Sequence, residues 1–283
     1  MTLDGQARIE RDGWSLLAAP ALAELPSRLG LELIERALKI AGGEGGRPLR
    51  RSRHASTYQI RLGTPLSGET EVFVKLLDAP RGLKAVRRMF LRSRAERMQA
   101  ILDALVAAGF EVAPILMLGD ERGSGRTMMV TARVAGEPLP RFLRRPAGAP
   151  ARRRQLLRAL GAEVARLHRA GFIHGDLTPY NIFVASGTPV RFSLIDHERT
   201  AEPRLMWERR RLRNLVQLCR FDLEGMGRTD RLRVIDAYGR AIGDEPPRRL
   251  IRRVSRMLRA RRLRDTVGDA AQSARGDSSR RPA

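Results

Sequence analysis

Apolar positions along the chain keep two rhythms. Residues 31–43, LELIERALKIAGG, repeat at helical spacing and stop at Gly42 and Gly43, which predicts a helix. STYQIRL (56–62) and TEVFVKLL (70–77) instead alternate, and the turn-forming GTPLSGE joins them, so both are predicted strands. In the second strand Val72, Val74 and Leu76 share one face, while Phe73, Lys75 and Leu77 share the other. Lys75 therefore projects from a mostly apolar strand. Helical spacing returns over residues 81–108, through Val86, Met89, Phe90, Met98, Ile101, Leu102 and Leu105, and Gly109 ends it. ILMLG and TMMVTARV are strand-like around the turn DERGSG, and AGEPLP has the composition of a connector.

Beyond the connector the pattern changes. Residues 151–170 form an amphipathic helix with Leu156, Leu157, Leu160, Val164 and Leu167 in one stripe, stopped by Gly171. Three further helical runs follow: RRLRNLVQLCRF, RLRVIDAYGRAI and RRLIRRVSRMLRARRLRD. Strands dominate the first half and helices the second. The expected plan is a two-lobed α+β fold with residues 1–134 in one lobe, 135–267 in the other, and a disordered polar tail at 268–283. The small lobe would hold an antiparallel sheet and one long helix; the large lobe would be mostly helical, with one hairpin.

That hairpin lies in FIHGDLTPYNIFVASGTPVRFSLIDHERT, residues 172–200. Pro179 makes HGDLTPY a loop, IFVA is a short strand, SGTP a turn and VRFSLI a second strand. Asn181 stands just before the first strand and Asp196 just after the second, so their side chains converge at the open end. Two oxygen donors on a rigid hairpin suit Mg²⁺, which keeps water or phosphate in its remaining positions. Asp176, on the loop leading into the same spot, is placed to reach a substrate hydroxyl.

Composition narrows the classes. The chain has 283 residues, 42% of them hydrophobic, enough for a real core. Cys219 is the lone cysteine, which excludes internal disulfides and Cys-based zinc sites and fits a reducing compartment. The N-terminus has no apolar leader, and no apolar run approaches the ~20 residues of a membrane span, so a cytoplasmic location is expected. The net charge of +23 points to an anionic partner, although Lys39, Lys75 and Lys84 are the only lysines and the arginine bias also fits a GC-rich genome. The basic helix at 248–265 has an apolar face in Leu250, Ile251, Val254, Met257 and Leu258. It reads either as a packed terminal helix with a solvated arginine face or as a surface for an anionic bilayer. No aromatic-rich platform for single-stranded nucleic acid is present, so nucleic acid is not an expected partner.

HGDLTPYN resembles the kinase catalytic loop His-x-Asp-x-x-x-x-Asn, LIDHE its metal-binding strand end, and VFVKLL its upstream lysine strand. Gly175 stands where phospho-regulated protein kinases carry Arg, and Asp196 precedes His-Glu rather than Phe-Gly. Both features resemble kinases of small molecules and sugars. LRSRAERMQAILDALVAAGFEVAPIL, LGAEVARLHRAGFIHGDLTPYNIFV and RRRLRNLVQLCR are similar to the lipopolysaccharide kinase (InaA/WaaP, Kdo/heptose kinase) family, over roughly residues 48–240.

The resemblance implies an ATP- and Mg²⁺-dependent kinase. Its acceptor would be a sugar hydroxyl of lipopolysaccharide core or another anionic glycolipid, met at the inner face of the cytoplasmic membrane. Asp176 would be the catalytic base, His174 a brace for its loop, and Lys75 the partner of the α/β-phosphates. Asn181 and Asp196 would hold the metal, with Glu198 as a further carboxylate. Adenine would bind at Ala132–Val134. Two departures stand out. The family's helix glutamate is replaced by Arg97-Met98, leaving Glu96 as the neighbouring acid, and Asn214 stands where Asp often anchors the catalytic loop. No glycine-rich loop is present; Ser52 and Ser56, with Arg51 or Arg53, fill that place. A soluble aminoglycoside- or choline-kinase-like phosphotransferase, an atypical protein kinase and a non-catalytic pseudokinase are the competing readings.

Overall fold

A computed structural model describes residues 7–52, 54–63, 70–79, 93–145, 150–187, 189–202, 207–221, 223 and 226–261. Arg53, most of the turn GTPLSGE, residues 81–92 of the long predicted helix and the tail at 268–283 lie outside them. The chain divides into two compact units: residues 1–135 with 193–198, and residues 136–192 with 199–283.

The first unit is built on a seven-stranded antiparallel sheet. Its strands are β1 (Ala7–Arg11), β2 (Trp14–Ala18), β3 (Arg50–Arg51), β4 (Ala55–Leu62), β5 (Thr70–Leu77), β7 (Ile115–Glu121) and β8 (Thr127–Ala132), in the order β1-β2-β7-β8-β5-β4-β3. β6 (Glu111–Val112) lies outside this sheet. The side-chain period of two sorts the sheet into two faces. Val72, Val74, Met117, Met128 and Val130 fill one face together with Leu33, Ala37 and Leu38. These last three belong to α2 (Ser27–Ala41), which follows the short α1 (Pro20–Ala23). Leu77, Leu118 and Met129 fill the other face with Ala95 and Met98 of α3 (Arg94–Ala107). Lys75 shares Leu77's parity and so lies on the α3 face.

Helix α3 starts at Arg94 because a capping box closes it there. Ser93 Oγ accepts the Glu96 N–H at 3.1 Å, and the Glu96 carboxylate accepts the Ser93 N–H at 2.8 Å. The single helix expected from residue 81 thus has an N-terminus at 94.

In the second unit β9 (Glu137–Pro138) leads into α4 (Leu139–Arg144) and α5 (Pro150–Arg169). β10 (Ile182–Ala185) pairs antiparallel with β9, and the start of β11 (Arg191–Leu194) flanks its other side. α6 (Trp207–Cys219), α7 (Arg228–Ile242) and α8, covering 247–261, complete the unit. The predicted stripe of α5 is buried at every position, from Leu156 to Leu167. α5 packs closely along α7 because Gly161 has no side chain: a Cβ there would stand 2.3 Å from the Val234 carbonyl oxygen. α8 buries Leu250 and Val254 and leaves Arg248, Arg252, Arg256 and Arg259 exposed.

Candidate active site

Lys75 and the acids that follow β11 meet within the first unit. The second half of β11 runs parallel to β6, with Ser193 opposite Glu111, and Ser193 Oγ donates to Glu111 at 3.0 Å. Just past the strand, Asp196 adopts φ 71°, a left-handed conformation that costs a non-glycine residue roughly 1–3 kcal/mol and that Asp tolerates better than most. A 3-10 turn, His197–Arg199, follows; His197 Nε2 donates to the Leu194 carbonyl at 2.9 Å. This kinked exit brings two carboxylates to one ammonium. Lys75 Nζ contacts Asp196 Oδ1 and lies 3.0 Å from Glu198 Oε2. All three side chains are mostly buried, at 15%, 22% and 19% exposure, so solvent screens the cluster weakly. Glu96 is occupied by the helix cap, and Met98 lies in the apolar cluster. The lysine's counter-ions therefore come from the end of β11, a contact between residues 121 positions apart that spacing alone does not reveal.

The second unit holds the HGDLTPYN loop. His174 is fully buried; its N–H donates to Asn214 Oδ1 at 3.2 Å and its carbonyl accepts Thr200 Oγ1 at 3.1 Å. Gly175 has φ 75°, and a Cβ there would stand 2.2 Å from the Arg199 carbonyl oxygen. Glycine at this position is thus a steric requirement, which explains why the arginine of phospho-regulated kinases has no counterpart here. Asp176 is half-buried, and its backbone carbonyl accepts the Thr178 N–H at 2.8 Å and Asn181 Nδ2 at 2.9 Å. Asn181, on the 3-10 turn Pro179–Asn181, is 4% exposed. Because its Nδ2 is spent on the loop, its Oδ1 is the atom left to act as a ligand.

A polar relay beneath the loop holds it to α6. Asn214 Oδ1 also accepts His168 Nε2 at 3.1 Å, while His168 Nδ1 accepts the Tyr238 hydroxyl at 2.9 Å. Burial pushes the His168 imidazole down to about 4, keeping it neutral and compatible with these roles. Asn214 Nδ2 donates to Gln217 Oε1 at 2.9 Å, and Gln217 Nε2 donates to the Gly175 carbonyl at 3.0 Å. Asn214 is thus more than a neutral substitute for aspartate, since its amide nitrogen extends the relay to the loop. Sequence reasoning found Asn214 but missed His168, Thr200, Gln217 and Tyr238. Their partners lie far away in sequence, and no spacing signals them.

The other predicted nucleotide contacts lie in the first unit. Ser52 closes the turn between β3 and β4: its Oγ donates to the Ala55 carbonyl at 3.1 Å. Ser56 lies in β4 opposite Arg51, and Arg51 is exposed. Ala132 ends β8, with its N–H on the Pro114 carbonyl at 2.9 Å; Val134 is buried.

A profile of the lipopolysaccharide kinase (Kdo/WaaP) family matches residues 83–238, more than half of the chain. The chain belongs to that family. Membership gives it the two-lobed, protein kinase-like α+β fold, whose small lobe carries the seven-stranded sheet. Two curated relatives also match. The EKC/KEOPS complex subunit BUD32 of Coccidioides immitis is 36% identical over 98 residues, covering 34% of this chain and 32% of that protein. The EKC/KEOPS complex subunit bud32 of Aspergillus oryzae is 27% identical over 192 residues, covering 58% of this chain and 66% of that protein. The chain thus spans less than two thirds of the length of either relative.

The donor set fits a hard divalent cation. Two carboxylates share one lysine, which leaves a net negative charge at a mostly buried spot. Among the described residues no group of three or more His, Cys, Asp or Glu is arranged to hold a metal. Mg²⁺ needs no such group, since one or two carboxylates with phosphate and water suffice. Among the same residues no helix is long and apolar enough to cross a membrane.

Proposed function

We propose that the chain transfers the γ-phosphate of ATP to a sugar hydroxyl of lipopolysaccharide core or a similar anionic glycolipid. The observation that carries this reading is the anchoring of Asn181 to the Asp176 backbone, which couples a ligand oxygen to a candidate base on one rigid turn. Asp176 orients the acceptor hydroxyl and takes its proton as the oxygen attacks the γ-phosphorus and the bond to ADP breaks. Asn181 Oδ1 and Asp196 would hold Mg²⁺, which would neutralise phosphate charge; Glu198 is the further carboxylate. Lys75 binds the α/β-phosphates, and His174 braces the loop through Asn214 and Thr200. Adenine lies against Ala132 and Val134. Ser52 and Ser56 line the phosphate side through the β3–β4 turn, where Ser52 acts by shaping the backbone.

The glycolipid acceptor rests on the family match, and peripheral docking at the inner face of the cytoplasmic membrane rests on the outward arginines of α8. A second reading draws on the BUD32 relatives: a protein-directed kinase that works as a subunit of a larger assembly. Labelled ATP supplied with native lipid, polar-metabolite and protein fractions separates the two by the fraction that takes up label. The Asp176→Ala variant is the control. Equal Mg²⁺-dependent labelling by wild type and Asp176→Ala would sink the catalytic reading.

A further inference from the structure

Lys75 needs a counter-ion that holds it toward the phosphates, and α3 supplies none. Its two acids are both engaged: Glu96 accepts the Ser93 N–H at 2.8 Å, and Asp103 accepts Gln99 Nε2 at 2.8 Å. Met98, in the place of the family's helix glutamate, is 5% exposed within an apolar cluster. Among the described residues, the carboxylates that reach Lys75 are Asp196 and Glu198.

We propose that Glu198 is the positioning residue for Lys75, doing from the end of β11 what a helix glutamate would otherwise do. The inference rests on the kinase reading above. One ammonium faces two carboxylates, so one of them is in surplus. Asp196, two residues past the end of β11, is the carboxylate that the proposed function assigns to the metal. Once it is committed to a cation, Lys75 and Glu198 remain as a one-to-one pair. Glu198 is suited to the task because its backbone is fixed: the 3-10 turn that carries it is tied back to β11 through His197 and Leu194, and β11 is tied to β6. Its Oε2 is buried, accepts no hydrogen bond among the described residues and lies 3.0 Å from Lys75 Nζ. Glu198 is thereby removed from the metal's ligand set.

The lysine itself gives the readout, since Lys39 and Lys84 are the only others in the chain. The probe is the mixed anhydride of a carboxylic acid with the terminal phosphate of ATP. Lys75 Nζ attacks the acyl carbon, the carbon–oxygen bond to phosphate breaks, ATP leaves, and the amine's proton passes to buffer. Acylation at each lysine is followed by mass spectrometry, with exposed Lys39 as the reference for general reactivity. In Glu198→Gln, acylation of Lys75 is expected to fall about tenfold or more, because a small misplacement of a reacting atom is costly. Lys39 labelling and the Mg²⁺ concentration for half-maximal turnover should not change, and Glu198→Asp should recover part of the loss. Wild-type Lys75 labelling in Glu198→Gln, together with a raised Mg²⁺ requirement, overturns the proposal and makes Glu198 a metal ligand. If Glu198→Gln shows no melting transition, Glu198→Asp carries the same comparison, since it keeps the charge but draws the carboxylate back. Absence of ATP-protectable Lys75 labelling in the wild type would instead show that the kinase reading has failed, and the inference with it.

Discussion

Asn181 Nδ2 donates to the backbone carbonyl of Asp176 at 2.9 Å, which fixes which atom of the amide faces outward. Aspartate at this position would offer a metal more charge, yet it could not make this bond. Its carboxylate would face a carbonyl oxygen in a site that is 4% exposed. Two acceptors without a proton between them cost about 1–3 kcal/mol when buried. Asn181→Asp is therefore expected to lower the melting temperature and to reduce kcat about a hundredfold. Calorimetry and a Mg²⁺ titration of steady-state turnover check this together.

Gly175 makes a sharper case. Alanine would need φ near 75° and a Cβ 2.2 Å from the Arg199 carbonyl oxygen, which is backbone and cannot swing aside. Gly175→Ala should destabilise the protein by about 2–4 kcal/mol through strain and overpacking. At equal folded fraction it should still lose activity, because the displaced segment carries Asp176. Chemical denaturation, with turnover measured well below the midpoint, separates the two effects.

Much of this was legible in the sequence, for identifiable reasons. Alternation in TEVFVKLL sorted Val72 and Val74 from Lys75 and Leu77, and the two core clusters lie on those two faces. The β1–β2 hairpin was missed because ARIER is exposed at four of its five positions and carries no burial rhythm. Its signal was the turn: Asp12 and Gly13 both have positive φ, the Asp-Gly signature of a two-residue hairpin. Ser93 and Glu96 spell a capping box, so the acid next to the Arg97-Met98 position is spent on the helix cap. The Lys75–Glu198 pair was not legible, since it depends on how the chain leaves β11 and not on local spacing.

The outward face of α8 can be tested directly. Arg248, Arg252, Arg256 and Arg259 are exposed and, at about 100° per residue, fall within about 80° of one another around the helix. Arg253 is directed elsewhere, toward Glu208 at 2.5 Å and Glu245 at 2.9 Å. With Leu250 and Val254 buried, attraction to an anionic bilayer would be electrostatic, without insertion. Vesicles containing phosphatidylglycerol are expected to sediment the protein and neutral vesicles are not. Arg248→Glu/Arg252→Glu/Arg256→Glu should abolish that binding, and salt should weaken it in the wild type.

His168 gives the fold a pH dependence of definite sign. Burial holds its folded-state value at about 4, below the 6.5 of an unfolded histidine. Between those values the unfolded chain binds a proton that the folded protein refuses, so stability rises with pH across this window. The contribution is complete above about 6.5 and is lost as pH falls to about 4, on the order of 3 kcal/mol in all. A protonated imidazole could no longer accept the Tyr238 hydroxyl, and the relay through Asn214 to the loop would lose its neutral partner. Urea unfolding at a series of pH values should follow this slope, and His168→Gln should flatten it. If the two curves remain parallel from pH 4 to 6.5, another group sets the acid sensitivity of the fold.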